Sequence, residues 1–178
     1  MNKSLPKSEN AIKDNINNKF NEEKQKITEA LEEYESQKAG LPSLGHMDAP
    51  EYISMNINIL KKKSAYQLCE AAFELRQYAL YLQRMLNKEK AWKSWAESKL
   101  DEITADELLH IAGHYGWNER MLLAKTQNPI CKKLNSFLRE VSLHINRLLF
   151  IPNEIHKLAD TINDLKFAAL RLEESFKN

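Results

Sequence analysis

The chain has 178 residues, a charged share of 29% and only four glycines, which suits one helical domain, or a core plus a flexible arm, and excludes a turn-rich sheet protein. The net charge of +1 hides a gradient: residues 61–100 hold nine basic and four acidic side chains, residues 1–60 hold seven and ten, and residues 101–178 hold ten and eleven. Only the middle stretch therefore reads as an anion-binding surface.

Cys69 and Cys131 stand in apolar surroundings with no CxxC pair, which excludes a disulfide scaffold and predicts two buried thiols in a reducing compartment. No signal-peptide core and no apolar run of about 18 residues is present. The expectation is a soluble protein of the cytoplasm (the host cytoplasm if viral) with no membrane partner.

Residues 1–9 are polar. From Ala11 to Lys38, apolar residues fall only at Ile12, Ile16, Phe20, Ile27, Leu31 and Tyr34, several at spacings of four or three, so the pattern predicts a thin amphipathic helix or disorder. Its acidic patch of Glu29, Glu32, Glu33 and Glu35 reads as a solubilising face, a partner-docking arm, or a segment that folds over a basic helix. Gly40, Pro42, Gly45 and Pro50 break the chain, so residues 1–50 are expected to be a polar arm and linker. Residues 51–60 alternate Tyr52, Ser54, Asn56 and Asn58 with Ile53, Met55, Ile57 and Ile59, which leaves a strand and a short helix entry both open.

Ser64 is placed to cap a helix running from Ala65 to Ile103. Leu68, Leu75 and Leu82 repeat every seven residues, as do Ala72, Ala79 and Leu86; the stripe then shifts to Trp92, Ala96, Leu100 and Ile103. Thr104 and Glu107 form a Thr-x-x-Glu box that predicts a new short helix stopping at Gly113. Asn118 is a candidate cap for the next. Asn128 before Pro129 is a helix-start signal, because proline suits the first turn.

From there the seven-residue repeat is nearly unbroken. Ile130, Phe137, Ile151, Leu158, Leu165 and Leu172 hold one position, interrupted by His144; Leu134, Val141, Leu148, Ile155, Ile162, Ala169 and Phe176 hold the other. Such a stripe keeps one face of a helix against a partner helix. Because the frame crosses Pro152 unshifted, a kink is expected there, with a short break restarting at Asn153 as the alternative. The fold class is all-α: a long antiparallel helical hairpin or coiled coil over residues 51–178, with short connecting helices, assembled as a homo-oligomer.

Chemistry-bearing motifs are scarce. His110 and His114 have helical metal-ligand spacing, but Ile111 stands where a zinc-protease helix needs glutamate, and no third ligand follows. His144 reads as a satisfied polar contact at the seam. No phosphate loop, dinucleotide fingerprint or nucleophile elbow occurs. The expectation is no enzyme, no catalytic residue, no metal and no cofactor.

One surface invites a ligand. Tyr81, Arg84, Lys88, Trp92, Trp95 and Lys99 step by three or four residues and share a helix face turned from the Leu68, Leu75, Leu82 line. Lys90 and Lys93 flank it. Cations neutralise phosphates and flat rings stack on unpaired bases, so this face suits single-stranded nucleic acid. The competing reading has Trp92 and Trp95 filling the seam where its phase shifts, with the lysines as a solvated rim.

The aromatic, basic segment from Ala71 through Tyr81 to Trp95 and Lys99, followed by the segment from Leu134, Phe137 and Leu138 through Ile145 to Ile162 and Lys166-Phe167, resembles the bacteriophage recombination mediators of the UvsY type over about residues 64–170. The resemblance implies small helical subunits that assemble, bind single-stranded DNA and load a RecA-like recombinase onto strands coated by single-strand-binding protein. It implies phosphate contacts at Arg84, Lys88, Lys93 and Lys99. Residues 1–63, and the link from Gly113 to Lys125, have no counterpart in it. The expected function is thus a mediator in DNA recombination and repair. The rival is a coiled-coil assembly, adaptor or structural protein with no nucleic-acid role.

Overall fold

A computed structural model of the chain describes residues 7–41, 46–111 and 116–175, and among them the side chains of 15, 17–41, 46–111 and 116–172. The fold is all-α, 88% helical, with no strand among the described residues. In order come α1 (Lys7–Ala39), a 3-10 turn (Glu51–Ser54), α2 (Ile57–Leu60), α3 (Ala65–His110), α4 (Trp117–Gln127), α5 (Pro129–Leu148) and α6 (Ile151–Ser175). Contacts divide the chain into two compact units. Unit 1 is Met1–Ser43 with Lys88–Leu143; unit 2 is Leu44–Asn87 with His144–Asn178.

Unit 2 contains the 3-10 turn, α2, the first half of α3, and α6. Asn56 caps α2 by accepting from the Asn58 N–H at 2.8 Å, so residues 51–60 resolve the strand-or-helix ambiguity as two short helical turns. Ser64 caps α3 as expected, in a reciprocal box with Gln67: the Gln67 N–H donates to Ser64 Oγ, and the Ser64 N–H to Gln67 Oε1. The seven-residue line of α3 is the core. Leu68, Ala72, Leu75, Ala79 and Leu82 are buried with Leu60, and Ile155, Ala159 and Ile162 of α6 join them. Arg76 reaches Asp160 across the pair at 2.9 Å.

Unit 1 holds α1, the second half of α3, α4 and most of α5. Ala96, Leu100, Thr104 and Leu108 of α3 are buried with Ala124 of α4 and Cys131, Leu134, Phe137 and Val141 of α5. The pairing is antiparallel. Near the top of α3, Glu107 accepts a hydrogen bond from the Asn128 side chain at 2.6 Å; twelve residues lower, the Trp95 ring lies 6.2 Å from that of Phe137. Asn128 caps α5, accepting from the Ile130 and Cys131 N–H groups at 2.8 and 3.3 Å. Gly40, at φ 63°, turns the chain out of α1, and the Leu41 N–H closes onto the Glu35 carbonyl at 3.0 Å.

Several expectations need correction. Thr104 starts no helix: α3 continues to His110, and the buried Thr104 hydroxyl donates to the Leu100 carbonyl at 2.6 Å. Asn118 is no cap, because α4 begins one residue earlier, after Gly116. At Pro152 the alternative of a break holds in place of the kink, with α6 restarting at Ile151 and not at Asn153: Leu149 and Phe150 form a turn between α5 and α6, and Pro152 sits in the first turn of α6, where its missing N–H costs nothing. The second seven-residue line crosses that turn in register, Ile155 and Ile162 being buried like Leu134 and Val141, while Ile151 and Leu172 of the first line are exposed and Ala159 is buried. Cys131 is buried but Cys69 is exposed. Of the two readings of Ala11 to Lys38, helix or disorder, the helix holds: α1 has 33 residues and belongs to unit 1. Gly113, His114, Pro42, Gly45 and Phe176 lie outside the described residues.

Candidate functional site

The basic-aromatic stripe divides between the units. Tyr81 and Arg84 belong to unit 2; Lys88, Lys90, Trp92, Lys93, Trp95 and Lys99 belong to unit 1. Tyr81 is half-buried and stacked on Tyr78, centroids 6.0 Å apart. Arg84 is buried and engaged within the chain.

In unit 1 the face is occupied by α1. Phe20, Lys24, Thr28 and Glu32 recur every four residues along that helix, which gives it one contact edge. Phe20 meets the Trp95 ring at 5.3 Å and the Phe137 ring at 5.2 Å, the latter edge-on. The Trp92 indole N–H donates to Thr28 Oγ1 at 3.2 Å, and that hydroxyl donates to the Lys24 carbonyl at 3.0 Å. Two ammonium groups flank the Trp92 ring: Lys24 Nζ at 4.0 Å and Lys88 Nζ at 5.4 Å from its centroid. Glu32 pairs with Lys88 at 3.3 Å.

The remaining cations are held locally. Lys93 pairs with Glu97 at 3.6 Å and Lys99 with Glu102 at 2.9 Å; Lys90 is exposed. The hydrogen bond to Glu102, then the charges of Glu102 and Glu23, raise the Lys99 pKa. Thus Trp92 and Trp95 stay half-buried beneath a helix of this same chain, and the lysines are distributed among carboxylates. They do not form an open stacking platform.

Sequence reasoning missed Phe20, Lys24 and Lys133. Lys133 Nζ lies 4.4 Å from the Phe20 ring centroid and hydrogen-bonds Asn17 Oδ1; burial lowers its pKa. The four-residue periodicity of α1 marked an edge, but nothing local named what it would cover. Between α1, α3 and α5 a cleft of about 350 Å³ remains, walled by Phe20, Trp95, Ile103, Ile130 and Leu134 with Lys99 at its rim.

A second surface lies in unit 2. Opposite its buried line, α3 exposes Tyr66, Phe73 and Leu80 at 78%, 63% and 41%, again seven residues apart, with the exposed Cys69 beside them. At about 100° per residue, Glu70 and Glu74 fall on one flank of this stripe and Arg76 on the other.

His110 is exposed, and among the described residues no group of three His, Cys, Asp or Glu side chains is placed to hold a metal ion. No helix of the described residues is long and apolar enough to cross a membrane. Comparison with protein-family models, curated proteins and solved structures finds no match.

Proposed function

We propose that this chain is a non-catalytic helical assembly protein that associates with further copies of itself through the outer face of α3. The observation that carries this reading is the exposure of Tyr66, Phe73 and Leu80. A helix apolar on two opposite faces, with one face already buried, has a second face to cover.

The flanking charges favour a second copy, and a parallel one. An antiparallel pair sets the Glu70 and Glu74 flanks against each other, whereas a two-fold axis along the helices keeps them apart and turns each toward Arg76 of the other copy, whose guanidinium already bonds Asp160 of its own chain. Each large apolar side chain covered stabilises the pair by roughly 1.5–3 kcal/mol. Three per copy give at most about 9–18 kcal/mol against an association cost of about 4–15 kcal/mol. The margin is small, so assembly is concentration-dependent.

In a parallel pair the two Cys69 residues stand at one level beside the axis; an antiparallel pair centred on Phe73 sets Cys69 against Gln77. Mild oxidation of the intact protein is therefore expected to give a reducible dimer through Cys69, abolished by Phe73→Glu. Equal cross-linking of the two proteins would count against the reading.

A second reading is the recombination mediator: binding of single-stranded DNA, with a RecA-like recombinase and single-strand-binding protein as partners. It is favoured by the chemistry of what sits on Trp92, Trp95 and Lys88, namely an acidic helix supplying a carboxylate and a ring. A gel-shift titration at two salt concentrations separates the readings. The mediator requires single-strand binding that weakens steeply with salt and with Lys88→Glu; the assembly protein leaves the strand unshifted.

A further inference from the structure

The α1 helix differs from every other long element of unit 1 in one respect. Among its described side chains none is buried, whereas α3, α4 and α5 all contribute buried residues to that unit. α1 therefore lies outside the buried core of unit 1, covering its edge at Phe137. What α1 adds is a row of half-buried contacts: the Phe20 ring against Trp95 and Phe137, one indole hydrogen bond to Thr28, cation–π contacts at Lys24 and Lys133, and the Lys88–Glu32 pair. Pairs this open to water contribute little each.

A second, independent feature agrees. Directly under α1 at Phe20 lies the 350 Å³ cleft. Packing density there is lost on the α1 side, so Phe20 gains less from docking than a ring in a filled core. Weak polar contacts above an unfilled cleft mark the part of a structure that opens first.

From this we infer that α1 is a releasable strap. It lifts from α3 and α5 while those helices and α4 stay folded, and in lifting it uncovers Trp92, Trp95 and the Lys88 ammonium together. The strap does not depend on which function holds. In an assembly protein it gates a second interaction surface, and in a strand-binding protein it competes with the strand. The edge already seated shows what the face accepts: an apolar ring on Trp95, a cation on Trp92 and a carboxylate on Lys88.

Hydrogen exchange on the full chain tests this. A lifted α1 loses its packing, the main source of helical stability in a folded protein, so opening is read at its amides. The amides of residues 18–35 are expected to exchange at least about a hundredfold faster than those of Ala96, Leu100, Leu108 and Leu134. Phe20→Ala is expected to speed exchange in α1 by about a further tenfold and leave those four sites unchanged. Exchange of α1 and the α3–α5 core at one common rate would overturn the strap. So would acceleration of all of them alike by Phe20→Ala.

Discussion

Thr104 and Asn128 carry comparable capping signals in sequence, yet only Asn128 caps a helix. The difference is burial and proline. Thr104 lies one turn from Leu100 and one from Leu108, on the face that packs in unit 1, and its hydroxyl finds an acceptor inside the helix at the Leu100 carbonyl. Tertiary packing there outweighs a local preference. Pro129 disfavours a helical conformation at Asn128, leaving that side chain free to accept from Ile130 and Cys131. Asn128→Ala is accordingly expected to cost about 1 kcal/mol, read as a lowered denaturant midpoint. Thr104→Val should cost less, because the Leu100 carbonyl keeps its helical donor. The cysteines diverge in the same way. Cys131 is buried, and burial pushes its thiol pKa up, while Cys69 is open to solvent. At a concentration low enough to keep the chain single, a thiol reagent near neutral pH should label Cys69 within minutes and Cys131 only on unfolding; equal labelling would place Cys131 at the surface.

Helix existence was legible, and of the two lines of the last repeat only one keeps its place in the core. The seven-residue lines at Leu68, Leu75 and Leu82 and at Leu134, Val141, Ile155 and Ile162 are core as their spacing implies. In α6 the core face follows the 3.6-residue helical period, so Ala159 is buried between Ile155 and Ile162 and Leu158 is left at the edge. The repeat ranks Leu158 and Ile162 as equals; their burial does not. Ile162→Ala is expected to cost about 2–5 kcal/mol and Leu158→Ala about half that or less, measured by chemical denaturation. Equal losses would restore the unbroken seam. The docking of α1 was legible only as a thin apolar edge, because Trp92, Trp95 and Phe137, which it meets, lie more than sixty residues away in the chain.

At the scale of the molecule, the basic excess in residues 61–100 is real in sequence and partly neutralised in space. Lys88 faces Glu32, Lys93 faces Glu97 and Lys99 faces Glu102. Composition reports the sum of charge, while function depends on which charges remain unpaired, and that is set by helices the composition cannot place. The apolar surface went the other way. Tyr66, Phe73 and Leu80 drew no notice beside the stronger Leu line, yet they are what α3 leaves open. The proposal that copies meet on that face is tested most directly by the mass of the intact protein in solution, followed by light scattering across concentration. The mass is expected to rise from 20.7 kDa to at least twice that value as concentration increases, and to stay at the single-chain value throughout for Phe73→Glu. A wild-type mass fixed at one chain at every concentration, or a Phe73→Glu protein that assembles just as well, would contradict it.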